Sequence, residues 1–123
     1  PDPANRFALV ADLGIDKLFV YPINLAETRL DASLREVATR PGMGPRHLAF
    51  HSNGKYAYLI TEMGSTIIAF AYDAVPGALT ALQTVPALPP DFDGRSTCAA
   101  RKPNWWFSSA RNWCTRWNAV RSR

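Results

Sequence analysis

Arg46, His47 and Glu62 are the side chains best equipped to act on a small polar molecule. A guanidinium forks onto phosphate or carboxylate oxygens, or steadies an oxyanion. A carboxylate serves as a general base toward water. His47 can supplement either role, unless its side chain turns into the core of its sheet. For these residues to act together a hairpin must bring them together. Arg46 enters one β-type run, the chain reverses at Asn53-Gly54, and Glu62 leaves the next run. A strand's start and its antiparallel partner's end share one edge of a sheet, so both side chains are expected at the same rim. Asp12, at the end of an earlier run, is expected close by on the preceding unit. The competing reading is that Arg46 and Glu62 are only an ion pair across the hairpin.

The elements that would position them are strands. Short runs alternating apolar and other residues cover residues 6–12, 17–23, 34–39, 47–51, 55–62, 66–72 and 79–85. Asn53-Gly54 predicts a hairpin with a type I′ turn, in which both central residues take positive φ. Pro76-Gly77 marks another turn. No run has the length and period of a helix. The pattern also repeats: Ala11-Asp12-Leu13-Gly14 returns as Thr61-Glu62-Met63-Gly64, which places a carboxylate in both copies. Leu34, Val37, Thr39 and Pro41 return as Leu79, Leu82, Thr84 and Pro86. A four-stranded unit of this length is a propeller blade. The second unit runs from residue 46 to residue 85, the first lacks its innermost strand, and a third is expected to begin near Ser96. Blades bury their faces only against neighbours, so residues 1–100 alone are expected to associate through open edges.

Residues 41–58, PGMGPRHLAFHSNGKYAY, carry a family resemblance. They are similar to the PGxGPRHxxFHPxGxxxY signature of the seven-bladed β-propeller lactonases related to 6-phosphogluconolactonase, with Ser52 replacing the usual proline. Asp12-Leu13-Gly14-Ile15-Asp16 resembles the DLGxD element of that family, and Glu62-Met63-Gly64-Ser65-Thr66 its ELGST element. Residues 73–79, DAVPGAL, look like its YDxxxGxL blade turn. The resemblance implies an all-β fold, here a fragment of a seven-bladed β-propeller of about one and three-quarter blades. It implies an active site at one mouth of the central channel, with Arg46, Glu62 and His47 as catalytic residues and Asp12 as a substrate-binding one. The implied reaction is hydrolysis of a phosphorylated six-membered sugar lactone, in the cytoplasm, with no metal and no organic cofactor. The implied partners are the small-molecule lactone and the missing blades of the parent chain, with no nucleic acid and no membrane. A propeller that lactonises a carboxymuconate and a non-catalytic binding scaffold are the alternatives. The family also suggests a histidine ahead of the first strand and an arginine in an SNRG element. Neither is present in this sequence, so the chain alone is expected to be inactive.

Composition divides the chain near residue 100. The net charge is +4, yet residues 1–100 hold 8 Lys and Arg against 10 Asp and Glu, while residues 101–123 hold 6 basic residues and no acid. Trp105, Trp106, Trp113 and Trp117 all fall in that tail. A reading-frame shift near residue 100 explains Trp- and Arg-rich text that begins where the family pattern stops. The rival is a segment binding nucleic acid through Arg and Trp. Cys98 and Cys114 straddle the break; a disulfide between them is the alternative, but with no secretory signal they are expected to be free thiols, and His47 and His51 lie too far off for a metal-ligand spacing. The chain opens on Pro1-Asp2-Pro3, without Met or a leader pattern, so it is expected to be an internal piece of a longer protein. No apolar stretch reaches the roughly 18 residues that a membrane-spanning helix needs.

Overall fold

The computed structural model describes residues 1–32 and 35–88, and every regular element among them is a strand. In chain order these are β1 (Phe7–Asp12), β2 (Lys17–Asn24), β3 (Arg29–Leu30), β4 (Arg35–Ala38), β5 (Pro45–Phe50), β6 (Tyr56–Thr61), β7 (Thr66–Asp73) and β8 (Ala78–Pro86). They form two antiparallel sheets. In the first, β2 pairs with β1 on one side and with both β3 and β4 on the other; the second is the meander β5-β6-β7-β8. These are one blade without its innermost strand and one four-stranded blade, as the resemblance implies. The two-residue β3 has no counterpart among the expected strands, because two residues carry no detectable alternation. Expected positions Leu34, Ser96, Cys98 and Cys114, and the tail 101–123, lie outside the described residues. No helix among the described residues is long and apolar enough to cross a membrane.

Burial differs between the strands. On β2, Leu18 and Val20 are buried at period two, whereas β6 buries Ala57, Tyr58 and Leu59 in succession and β7 buries Ile68, Ala69 and Phe70, so these two strands are covered on both faces. Leu18 joins Ala57, Leu59, Ile68 and Phe70 in one core, with Ala11, Val37, Leu48, Phe50 and Leu79 packed around it. Since these residues come from both sheets, each blade supplies the other's apolar cover. A fully buried side chain of this size contributes roughly 1.5–3 kcal/mol.

Two details of the expected pattern are corrected. The β5–β6 turn is not type I′, because only Gly54 (φ 68) has positive φ and Asn53 does not. The His51 carbonyl accepts from Gly54 N–H at 2.9 Å across Ser52 and Asn53. The side chains reinforce it: His51 Nδ1 accepts from Asn53 N–H at 3.1 Å, and Asn53 Oδ1 accepts from Lys55 N–H at 2.9 Å. With its own side chain closing the next turn, Asn53 keeps a negative φ and the glycine alone takes the left-handed position.

The second correction concerns the repeat. Asp12 pairs with Lys17 across the first turn and Thr61 with Thr66 across the second, so Asp12 is the counterpart of Thr61, and Leu13 that of Glu62. Asp16 (φ 57) and Ser65 (φ 48), both left-handed, fall at the same place in these turns. In the outer strands Leu18 pairs with Val37 and Ile67 with Val85, so Val37 matches Val85 rather than Leu82. Residue type had suggested other pairings; turn geometry sets these.

The blades are also joined at their outer ends. The ring of Phe7 lies against Gly77 in the β7–β8 turn, where a Cβ would come within 3.0 Å of three ring carbons. Gly77 also has φ 66. Gly77→Ala is therefore expected to cost about 2 kcal/mol, seen as a lower urea midpoint with an unchanged slope.

Candidate active site

The rim that carries Arg46 and Glu62 is shaped by a fault in the β5–β6 ladder. Pro45 pairs with Thr61 and His47 with Ile60, leaving Arg46 as an extra residue on β5. Proline has no N–H to give to a ladder, and the bulge follows it directly. An unbroken strand would send Arg46 and His47 to opposite faces. With the bulge both are exposed, and His47 does not enter the core.

Arg46 Nη1 donates to Glu62 Oε2 in a direct ion pair. The guanidinium side chain is 39% exposed and that of Glu62 20%. An ion pair this open contributes only about 0–1 kcal/mol to stability. Glu62 itself lies just beyond β6, in the turn, and its N–H donates to the Gly44 carbonyl at 2.8 Å. The turn is thereby tied to the segment that leads into β5.

Beside Arg46 and His47 is a small cavity of about 140 Å³ between β1 and β5, walled by Leu9, Ala11, Leu48 and Phe50. Ligand pockets usually occupy about 300–1,000 Å³, so this cleft accommodates part of a substrate. A larger groove, about 620 Å³, runs past Asn53, Lys55 and Tyr56 at the other end of the hairpin. Neither Arg46 nor Glu62 lines it, and size alone does not make it the reactive site.

Asp12 ends β1 and is held by its own turn. Its Oδ1 accepts from Gly14 N–H at 2.9 Å, closing its own turn. Its counterpart Thr61 does the same work through Oγ1, which accepts from Thr66 N–H at 3.1 Å. The expected carboxylate in each blade is thus an aspartate that caps a turn in one and a glutamate one position further on in the other. What the first turn does bring to the rim is Leu13, whose Cγ lies 3.4 Å from where a Cβ on Gly44 would stand.

The residue missed by the reading of the sequence is Asp16. Its Oδ1 accepts from Gly44 N–H and its Oδ2 from Gly42 N–H, both at 2.7 Å. These donors, Gly44 first and then Gly42, hold the carboxyl below the usual aspartate range. The signal was present in the DLGID string, whose second aspartate is followed at a distance by a Gly-x-Gly with no other evident anchor. Among the described residues no three His, Cys, Asp or Glu side chains converge as metal ligands.

Comparison with known proteins gives this rim a context. The model of the family described as lactonase, seven-bladed β-propeller, matches residues 1–102. The 6-phosphogluconolactonase of Bacillus subtilis is 39% identical over 101 residues, covering 80% of this chain and 27% of its own length. That of Serratia proteamaculans is 38% identical over 93 residues, covering 76% and 28%. Among solved structures, the periplasmic gluconolactonase of Pseudomonas aeruginosa superposes with a TM-score of 0.68 at 39% identity, over 76% of this chain and 26% of that one. The chain spans about a quarter of the length of these relatives. Matched by that family model over most of its length, the chain belongs to the seven-bladed β-propeller lactonase family.

Proposed function

We propose that this segment supplies one side of the active site of a sugar-lactone hydrolase, and that its substrate is 6-phosphogluconolactone, opened to 6-phosphogluconate. The observation that carries the reading is the bulge at Arg46, which sets a guanidinium against the Glu62 carboxylate on an exposed rim with His47 alongside. Such a bulge re-aims a side chain without strengthening the sheet, and the open ion pair adds little stability.

The chemistry follows from the groups. Glu62 takes a proton from water as its oxygen attacks the lactone carbonyl. The negative charge that forms on the carbonyl oxygen is met by Arg46. As the tetrahedral centre collapses, the ring C–O bond breaks and the ring oxygen leaves as a hydroxyl, with His47 placed to supply its proton. The carboxylic acid so formed releases its proton to water to give the carboxylate product, and the proton taken by Glu62 makes good the one that His47 gave. Asp12 and Leu13 shape the neighbouring turn in this reading.

The test replaces the matching quarter of the Bacillus subtilis enzyme with residues 1–88 of this chain. The chimera is expected to hydrolyse 6-phosphogluconolactone, and a folded chimera that opens no lactone overturns the reading. Because one relative is named a gluconolactonase, the unphosphorylated lactone is the competing substrate. The ratio of kcat/KM for the two lactones decides between them.

A further inference from the structure

We propose that Asp16 is a positioning residue for the Arg46–Glu62 pair: its carboxylate reaches from the β1–β2 turn of one blade to Gly42 and Gly44, holding the segment that leads into the β5 bulge. The role assigned to that pair rests on the lactone-hydrolase reading above.

Gly42 (φ 78) and Gly44 (φ 60) are both left-handed, in conformations that glycine enters and leaves freely. An outside anchor is needed to hold them. Asp16 supplies it with two hydrogen bonds of 2.7 Å, one to each glycine. Gly44 then passes the constraint on. Its carbonyl accepts from Glu62 N–H at 2.8 Å, while the Met43 carbonyl accepts from Met63 and Gly64 N–H at 3.1 and 3.0 Å. Pro45 and Arg46 follow directly in the chain. One carboxylate thus fixes the peptide units next to both functional side chains.

The blade itself does not require this carboxylate. The Asp16 carbonyl accepts from Thr39 N–H at 2.9 Å, and at the equivalent place in the next blade the Ser65 carbonyl accepts from Ala87 N–H at 2.9 Å. Ser65 has the same left-handed backbone. The turn and its strand-end bond therefore form without an aspartate, and the grip on Gly42 and Gly44 is additional to them.

Asp16→Asn and Asp16→Gly both suit a left-handed backbone, so either removes the charged clamp without straining the turn. In the 123-residue chain, amide exchange at Glu62 is expected to quicken by about tenfold in both variants. The Tyr72 amide, which donates to the Lys55 carbonyl at the far end of the hairpin, keeps its protection. In the Bacillus subtilis chimera, kcat is expected to fall about 10- to 100-fold with KM within about twofold. Tyr72→Phe, which weakens the same fold away from the rim, leaves kcat unchanged. Unaltered Glu62 exchange in both Asp16 variants, or a kcat loss no larger than that of Tyr72→Phe, overturns the proposal. If the unmutated chimera opens no lactone while Glu62 exchange quickens as expected, the lactonase reading fails and the positioning of the pair stands.

Discussion

Glu62→Gln in the chimera is expected to lower kcat for lactone hydrolysis by about 100- to 10,000-fold, the range removed with a general base. Glutamine keeps the size of the side chain and an oxygen that accepts from Arg46, but it cannot take a proton from water. The unfolding midpoint should therefore stay close to that of the parent, as for other small changes at an exposed pair. Arg46→Ala is expected to cost about 100- to 1,000-fold in kcat, the usual loss when an oxyanion donor is removed. Arg46→Lys should recover only part of this, because an ammonium lacks the planar fork. If the two residues act as one unit, the double variant Arg46→Ala/Glu62→Ala will be little worse than the poorer single variant. The rival reading, an ion pair across a hairpin, makes the opposite forecast: a small change in stability and no change in kcat. A pH-independent kcat within threefold of the parent in Glu62→Gln would remove Glu62 from the mechanism.

The meeting of Arg46 and Glu62 was legible because it follows from topology. A run, a turn and a second run define an antiparallel pair, and the two ends of such a pair coincide whatever the side chains are. The bulge was not legible. One extra residue on a strand changes neither composition nor period over five or six positions, and its only trace is the proline before it. Without the bulge, the face taken by His47 stayed open between the rim and the core. The structure resolves it to the rim.

The repeat shows how residue identity misleads. Asp12 and Glu62 look like one repeated carboxylate, yet the strand pairs equate Asp12 with Thr61. Both close a turn by accepting from a backbone N–H, a task that a carboxylate and a hydroxyl perform equally well. Turn length and the left-handed residues Asp16 and Ser65 define the true register, and neither is visible in a comparison of letters. Asn53-Gly54 misled in a similar way. The dipeptide did mark a hairpin, but the choice of turn depended on His51 and Lys55, which bond to Asn53 from either side.

Asp2 was invisible to the sequence reading because its partner stands seventy residues away, and it carries the second large expected effect. Its Oδ1 accepts from Arg6 N–H at 2.7 Å and Phe7 N–H at 2.9 Å, and its Oδ2 from the Tyr72 hydroxyl at 3.1 Å. The residue is only 2% exposed. Asp2→Ala leaves the Phe7 N–H and the Tyr72 hydroxyl buried without an acceptor, and is expected to cost about 2–4 kcal/mol. Against the 5–15 kcal/mol typical of whole domains, that is enough to expose the seam between the blades. Tyr72→Phe, which removes one donor and leaves two, should cost about 1 kcal/mol.

The titration of this pair gives the expectation a sign. Burial pushes the Asp2 carboxyl up, but the Phe7 and Arg6 N–H groups and the Tyr72 hydroxyl together hold it below the usual aspartate value. The unfolded chain therefore takes up that proton more readily than the folded one. The associated stability is complete above the ordinary value near 4 and is lost as pH falls through the folded value. Tyr72 moves the other way: burial first, then the charge and hydrogen bond of Asp2, push its hydroxyl well above its usual value. Its share of stability is complete below about pH 10 and is lost as pH rises beyond it. Urea unfolding at stepped pH should show both losses in the parent chain. In Tyr72→Phe the alkaline loss should shrink while the acid loss remains, because the Phe7 and Arg6 N–H groups still hold Asp2. An alkaline limb of unchanged size in that variant would show that titration of the Tyr72 hydroxyl is not the source of the alkaline loss.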